Sequence, residues 1–287
     1  MPGILFIHDL CNMITVSQLF IYPIKSLGGI ELPSVEVGDR GFTYDRRWML
    51  VDANNQFMTQ RDTLEMALLK TSFHEDSLQV IFKNNVSENI LIPLTIRIRK
   101  KITVRIWDDT CDAIEPGDLF NEWFSDMLRK KCKLVYMPDD SLRKVDGTYA
   151  TNGEITAFSD GYPILLIGQS SLDDLNSRLK DPVPINRFRP NIVFTGSRAF
   201  EEDEFQQFTI GAINFIGVKL CGRCVMTTID QNKAIKHKEP LQTLSTYRQA
   251  NNKVYFGQNL LHTGTGIINV HDKVNVLKRK EPVFTIA

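Results

Sequence analysis

Cys221-Gly222-Arg223-Cys224-Val225-Met226-Thr227-Thr228-Ile229-Asp230 places two thiols three positions apart around an arginine. A cysteine ligates metal or attacks as its thiolate, and a neighbouring guanidinium favours that form. The pair directly follows an apolar run, Ile213 to Leu220, that reads as a buried strand. Three chemistries compete for it. Half-buried thiols often serve packing alone. Zinc needs two further Cys or His ligands at suitable spacing, whereas Cys11, Cys111 and Cys132 stand apart. A redox dithiol opens a helix in a βαβ unit, whereas Val225, Thr227, Thr228 and Ile229 predict a strand. The motif specifies a reactive or metal-binding cysteine and leaves its use open.

Other polar groups converge on an anion. Lys25 and Ser26 end a strand just before Gly28-Gly29, a pattern that suits an exposed edge charge or a phosphate contact. Asp45-Arg46-Arg47-Trp48 sets two arginines on opposite faces of a strand, so one points inward and needs an anionic partner, with Asp45 available. In Asn186-Arg187-Phe188-Arg189-Pro190-Asn191, alternation puts Arg187 and Arg189 on one face and Phe188 on the other. Ser170 and Ser171 fall at a predicted helix start, where free N–H groups receive an anion or where the serines simply cap. Each signal is weak, and together they describe an Arg-, Lys- and Ser-rich pocket near a thiolate.

The elements that must hold these groups are mostly strands. Runs at Thr15 to Tyr22, Leu32 to Val37, Arg47 to Val51, Gln56 to Thr59, Leu78 to Lys83, Ile90 to Ile98 and Ile102 to Trp107 predict a β-rich, barrel-like first half. Leu119, Phe120, Trp123, Phe124, Met127 and Leu128 form one helical stripe for core packing, with Asp118 as the expected N-cap. Residues 138–153 carry Asp-Gly and Asn-Gly pairs and read as a loop. Beyond it, strands are expected at Pro163 to Ile167, Asn191 to Phe194, Phe208 to Ile210, Ile213 to Leu220, Val225 to Ile229, Ile267 to Val270 and Lys273 to Leu277. Ser170 with Asp173 and Ser171 with Asp174 match capping-box spacing for a helix, and a second helix is expected near Leu241 to Arg248.

The 287 residues hold 43% hydrophobic and 24% charged side chains, ordinary for a globular chain of one large or two medium domains. Lys+Arg equals Asp+Glu at 34 each, which argues against a broad nucleic-acid-binding surface. Five cysteines without disulfide-like spacing fit a reducing compartment. No apolar run approaches the roughly 18 to 20 residues of a membrane span. The expectations are a cytoplasmic location, no membrane and no nucleic acid, with residues 1–12 an extension without structural role.

In chain order, Tyr22-Pro-Ile-Lys-Ser-Leu-Gly-Gly, Gly41-Phe-Thr-Tyr-Asp-Arg-Arg-Trp-Met-Leu-Val, Thr59-Gln-Arg, Phe158-Ser-Asp-Gly-Tyr-Pro, Ser171-Leu-Asp-Asp-Leu-Asn, Asn186-Arg-Phe-Arg-Pro-Asn-Ile-Val, the cysteine motif and Lys238-Glu-Pro-Leu-Gln-Thr-Leu resemble the MOSC superfamily. The branch resembled contains the mitochondrial amidoxime reducing component and its bacterial relatives. The resemblance implies a mainly β (α+β) fold, with an N-terminal β-barrel-like domain over 14–137 packed on a β-barrel MOSC domain with few helices over 138–280. It implies a molybdenum cofactor, a molybdopterin whose metal is ligated by Cys224, with Cys221 accessory. Lys25, Ser26, Arg46, Ser170, Ser171, Arg189, Asn191 and Arg223 are the positions implied to hold the pterin and its phosphate.

The implied chemistry is reduction of N-hydroxylated or other N-oxygenated compounds by two-electron oxygen-atom transfer. No cysteine follows Cys224, so an intrinsic [2Fe–2S] domain is not expected, and electrons are expected from a separate reductase, flavoprotein or haem protein. Two other functions fit the same resemblance: a molybdenum cofactor carrier, and a sulfur-transfer protein without reductase activity.

Overall fold

Alternating apolar residues build the molecule, and strands dominate it. The computed structural model describes residues 13–96, 100–150 and 152–284. The expectations for residues 1–12 and for the end of the 90–98 run lie outside these. Only three α-helices occur among the described residues, and no helix there is long and apolar enough to cross a membrane.

The main sheet has nine strands, along the path Ile30–Leu32, Thr15–Ile21, Ile192–Thr195, Ile164–Gly168, Lys253–Thr263, Ile213–Arg223, Phe205–Ile210 and Val274–Arg279, with Gln249–Ala250 added at Lys253–Thr263. Its pairs are antiparallel apart from Ile164–Gly168 against Ile192–Thr195, which run parallel. Parallel neighbours need a crossover. Helix Gln169–Arg178 supplies it, burying Leu172 and Leu175. The strand Thr15–Ile21, from the first half of the chain, sits inside this sheet, with Val16 opposite Phe194 and Leu19 opposite Ile192.

The rest of the first half forms smaller sheets. Trp48–Val51, Lys133–Tyr136, Asp109–Glu115 and Lys100–Ile106 make a four-stranded one, and Leu69–His74, Ser77–Phe82 and Asn85–Pro93 a three-stranded one. Helix Asp118–Leu128 buries Phe124 and Leu128 as its stripe predicts, while Leu119 faces solvent. Gly117 takes the N-cap position expected of Asp118, which instead starts the helix.

Several elements differ from the sequence pattern: Gln56 and Phe57 make only isolated bridges where a strand over Gln56 to Thr59 was expected, and the strands Leu69–His74 and Asp109–Glu115 were not expected. Val225–Thr228 is a 3-10 turn, not a strand. The hydroxyls of Thr227 and Thr228 donate to the carbonyls of Cys224 and Val225, three residues back, and these local bonds compete with a ladder. The eleven-residue strand Lys253–Thr263 was not anticipated, although it pairs with both Ile164–Gly168 and Ile213–Arg223. Gly257 interrupts its pattern at φ +79, where a Cβ would lie 2.8 Å from the Leu166 carbonyl oxygen. Only glycine fits so close a strand approach.

Candidate active site

Strand Ile213–Arg223 ends at the cysteine motif. Its pairing with Lys253–Thr263 shifts register between Gly217 and Lys219 and again between Leu220 and Gly222. Such bulges re-aim the side chains beyond them. The chain then turns, and Cys224 precedes the 3-10 turn with an extended backbone. Arg187 anchors that turn by bonding Asp230 at 3.3 Å and the Thr227 carbonyl at 3.5 Å.

Cys221 and Cys224 are both half-exposed, whereas Cys111 and Cys132 are buried. Burial pushes the Cys111 thiol up to about 11 and raises Cys132 as well, so neither is a ready nucleophile. The guanidinium of Arg223 serves Cys221, at 3.0 Å from Nη1 to Sγ. The one at Cys224 comes from the other half of the chain: Arg61 Nη2 donates to its sulfur at 3.3 Å.

Both cysteines line a cleft of about 780 Å³ including its open mouth, shared with Lys25, Ser26, Arg46, Arg189, Asn191 and Arg223. The structure thus brings together seven of the nine residues implied to hold the cofactor and its metal, Ser170 and Ser171 excepted. Tyr22 organises the arginines. The guanidinium carbons of Arg46 and Arg189 stand 4.4 and 4.2 Å from its ring centroid. Burial pushes the Tyr22 hydroxyl up to about 12 against these cations, so it stays neutral.

Arg46 donates to Asp45 at 2.6 Å and to Asn191 Oδ1 at 3.0 Å, so Asp45 is the partner expected for the inward arginine. Arg47 turns the other way, to Met137 and Asp139. Asn191 also accepts from the Leu165 N–H and donates to the Phe20 carbonyl, so its amide positions its neighbours. Lys25 Nζ donates to the Phe158 carbonyl at 2.8 Å and to Asp160 at 2.5 Å. Burial pushes Lys25 down to about 8, opposed by the Asp160 carboxylate.

Ser26, Arg46 and Arg189 all hold positive φ, at 67°, 50° and 56°. Left-handed backbone at non-glycine residues costs on the order of 1–3 kcal/mol each and concentrates where function requires it. Arg187, Phe188 and Arg189 all reach the cleft through a short 3-10 turn, not through strand alternation.

Ser170 and Ser171 lie elsewhere. Ser170 donates to the Ser197 carbonyl at 2.7 Å. Ser171 donates to Glu202 and accepts from the Phe200 N–H, both at 2.7 Å. Gly168, not a serine, is the N-cap, and its N–H bonds Glu202 at 3.1 Å. The helix start does receive a carboxyl group, but it is the chain's own.

Sequence reading missed Arg61, Asp160 and Tyr162. Thr59-Gln-Arg and Phe158-Ser-Asp-Gly-Tyr-Pro lie among the stretches that carried the resemblance, the one signal they offered. A cofactor of pterin and phosphate demands hydrogen-bond donors and cations. The cleft supplies them: Arg223 Nε and the Tyr162 hydroxyl are buried there with no protein partner, beside Lys25, Arg46 and Arg189. Buried donors left without partners are costly, and a ligand that accepts from them removes that cost. The residues fit the group, and a thiolate is a suitable soft ligand for its metal.

Comparison with known proteins adds to this geometry. Residues 13–131 match the family described as MOSC N-terminal beta barrel domain, and residues 154–275 match the MOSC domain. The mitochondrial amidoxime-reducing component 1 of Xenopus laevis is 32% identical over 95% of this chain and 85% of its own. Its Homo sapiens counterpart is 30% identical over 92% and 83%. A molybdenum cofactor sulfurase of Oryza sativa is 28% identical over 85% of this chain but only 32% of its own length.

Proposed function

The chain belongs to the MOSC-domain family that includes these amidoxime-reducing components, and we propose that it is a molybdenum-cofactor enzyme reducing N-hydroxylated compounds. One juxtaposition carries this reading: the half-exposed Cys224 sulfur opens onto a cleft of cations with two unpartnered donors. When bound, the cofactor supplies two-electron oxygen-atom transfer. In net terms, an N–OH group takes up two electrons and two protons and yields N–H and water.

The chain's own residues do the holding. Cys224 ligates the metal. Lys25, Arg46, Arg189 and Arg223 neutralise and grip the phosphate and pterin, with Ser26 and Tyr162 adding hydrogen bonds. Asn191 and Tyr22 keep the two arginines in place. A separate reductase, flavoprotein or haem protein provides the electrons, and the substrate is a small molecule. In this reading the chain divides into units at 14–137 and 138–280 and works in the cytoplasm without membrane or nucleic-acid partners.

Protein purified from a cofactor-competent host is expected to contain molybdenum and to release a fluorescent pterin on oxidation. Cys224→Ser is expected to abolish turnover with an artificial low-potential donor while keeping the wild-type melting temperature. Neither metal nor pterin in the wild type would sink the proposal. Cofactor handed intact to an apo-acceptor, with no reductase activity, would make the protein a carrier. A cyanide-labile persulfide with activity independent of molybdenum would make it a sulfur-transfer protein.

A further inference from the structure

Arg61 is fixed in place more firmly than a single bond to a thiol requires. Its guanidinium carbon lies 4.7 Å from the Trp107 ring centroid, and Nη2 is 3.7 Å from Asp160 Oδ2 as well as 3.3 Å from Cys224 Sγ. Trp107 is held in turn. Its Nε1 donates to Asp160 Oδ1 at 3.4 Å, and its ring packs on Phe57 with centroids 4.8 Å apart. Asp160 is tied to Lys25. These contacts restrain the guanidinium beside the sulfur.

A guanidinium carries five N–H groups. Among the described residues only Nη2 of this side chain makes a hydrogen bond, which leaves those of Nε and Nη1 unspent. The side chain is 20% exposed, and its contacts with Cys224 and Asp160, both of which line the cleft, set this charge beside it.

We propose that Arg61 is the seat for the substrate's oxygen, its unspent N–H groups taking the oxygen of an N–O group while Trp107 and Asp160 restrain it. The seat selects small molecules with an exposed, electron-rich oxygen bound to nitrogen. Charge-assisted hydrogen bonds of this kind are roughly twice as strong as neutral ones. As the N–O bond breaks, negative charge grows on the oxygen, and the contact strengthens in the transition state. A lysine has neither the planar fork nor the stacking face to replace it.

This inference rests on the reductase reading, and the experiment separates the two. Benzamidoxime and benzamidine differ by that one oxygen. Each is titrated calorimetrically into the oxidised holoenzyme without an electron donor, so that binding is read without turnover. Arg61→Gln is expected to weaken benzamidoxime about tenfold, the loss of one charge-assisted contact. Benzamidine, which lacks the oxygen and is cationic, is expected to bind Arg61→Gln as well as wild type or better. Arg61→Lys is expected to fall between the two proteins.

Pterin content and melting temperature establish that each variant is folded and loaded, with Arg61→Lys as the second variant should Arg61→Gln fail. Benzamidoxime affinity within twofold of wild type in Arg61→Gln overturns the seat, as does equal weakening of both ligands or no binding by wild type. Arg61-dependent binding without any reduction leaves the seat standing and removes the reductase. Reduction that is unchanged in Arg61→Gln does the reverse.

Discussion

Lys25 carries a pH-sensitive charge in the cleft. Burial lowers it from 10.5 to about 8, and the Asp160 carboxylate opposes that shift while Arg143 and Arg46 add to it. A depressed lysine contributes stability above its unfolded value and loses it as pH falls through about 8, so ligand-free protein is penalised by this group at neutral pH. Anion binding has the opposite sign, because it needs the ammonium. Pterin retained after gel filtration is therefore expected to fall between pH 7 and 9.5, with binding weakened roughly tenfold. Lys25→Arg, which stays charged, should flatten that profile, and an unchanged slope would remove Lys25 from the binding set. Lysine, arginine and cysteine were legible in the sequence because their chemistry shows in residue type alone. Arg61 was not, because its bond to Cys224 spans 163 positions and no local pattern encodes it.

The helix start at Gly168 shows how an element can satisfy locally what sequence reading assigns to a ligand. Glu202 accepts from the Gly168 N–H and the Ser171 hydroxyl in a fully buried position. Burial first, then the neighbouring Asp203 carboxyl, pushes Glu202 from 4.5 up to about 7. A raised carboxyl contributes stability that is present below its unfolded value and is lost as pH rises through its folded one. Asp203, raised by burial and partly offset by Arg248, acts in the same direction. Wild type should therefore lose melting temperature between about pH 4.5 and 7 relative to Glu202→Gln, by several degrees, measured by calorimetry. Parallel pH profiles for the two proteins would contradict this account. Serine spacing alone could not distinguish a cap from a buried acid's partner, since Glu202 lies 31 positions beyond Ser171. The Val225–Thr228 turn was misread for a related reason. Its β-branched residues favour a strand by type, but their hydroxyls bond backward to the chain.

At the scale of the whole molecule, the two halves share both the sheet and the site. Thr15–Ile21 lies between Ile30–Leu32 and Ile192–Thr195, and the Gln60 and Gln231 side-chain amides exchange hydrogen bonds across the halves. Apolar patterning revealed that the chain is mainly β, but it could not show which half each strand would join, because pairing partners leave no mark on local periodicity. The shared sheet has an energetic consequence. Val16, Leu19 and Ile21 are essentially fully buried in the core behind the main sheet. At about 2 kcal/mol for each such side chain, their removal costs roughly 6 kcal/mol, comparable to the whole stability of a typical domain. It also leaves Ile192–Thr195 as an unpaired edge. Residues 138–287 produced alone are therefore expected to melt without a cooperative transition and to bind a hydrophobic dye. Residues 13–287 should unfold in a single calorimetric step and keep their pterin, because Lys25, Ser26 and Arg46 remain to complete the cleft. A sharp transition in the shorter chain would show that the second half folds by itself, with the first-half strand docked on a finished sheet.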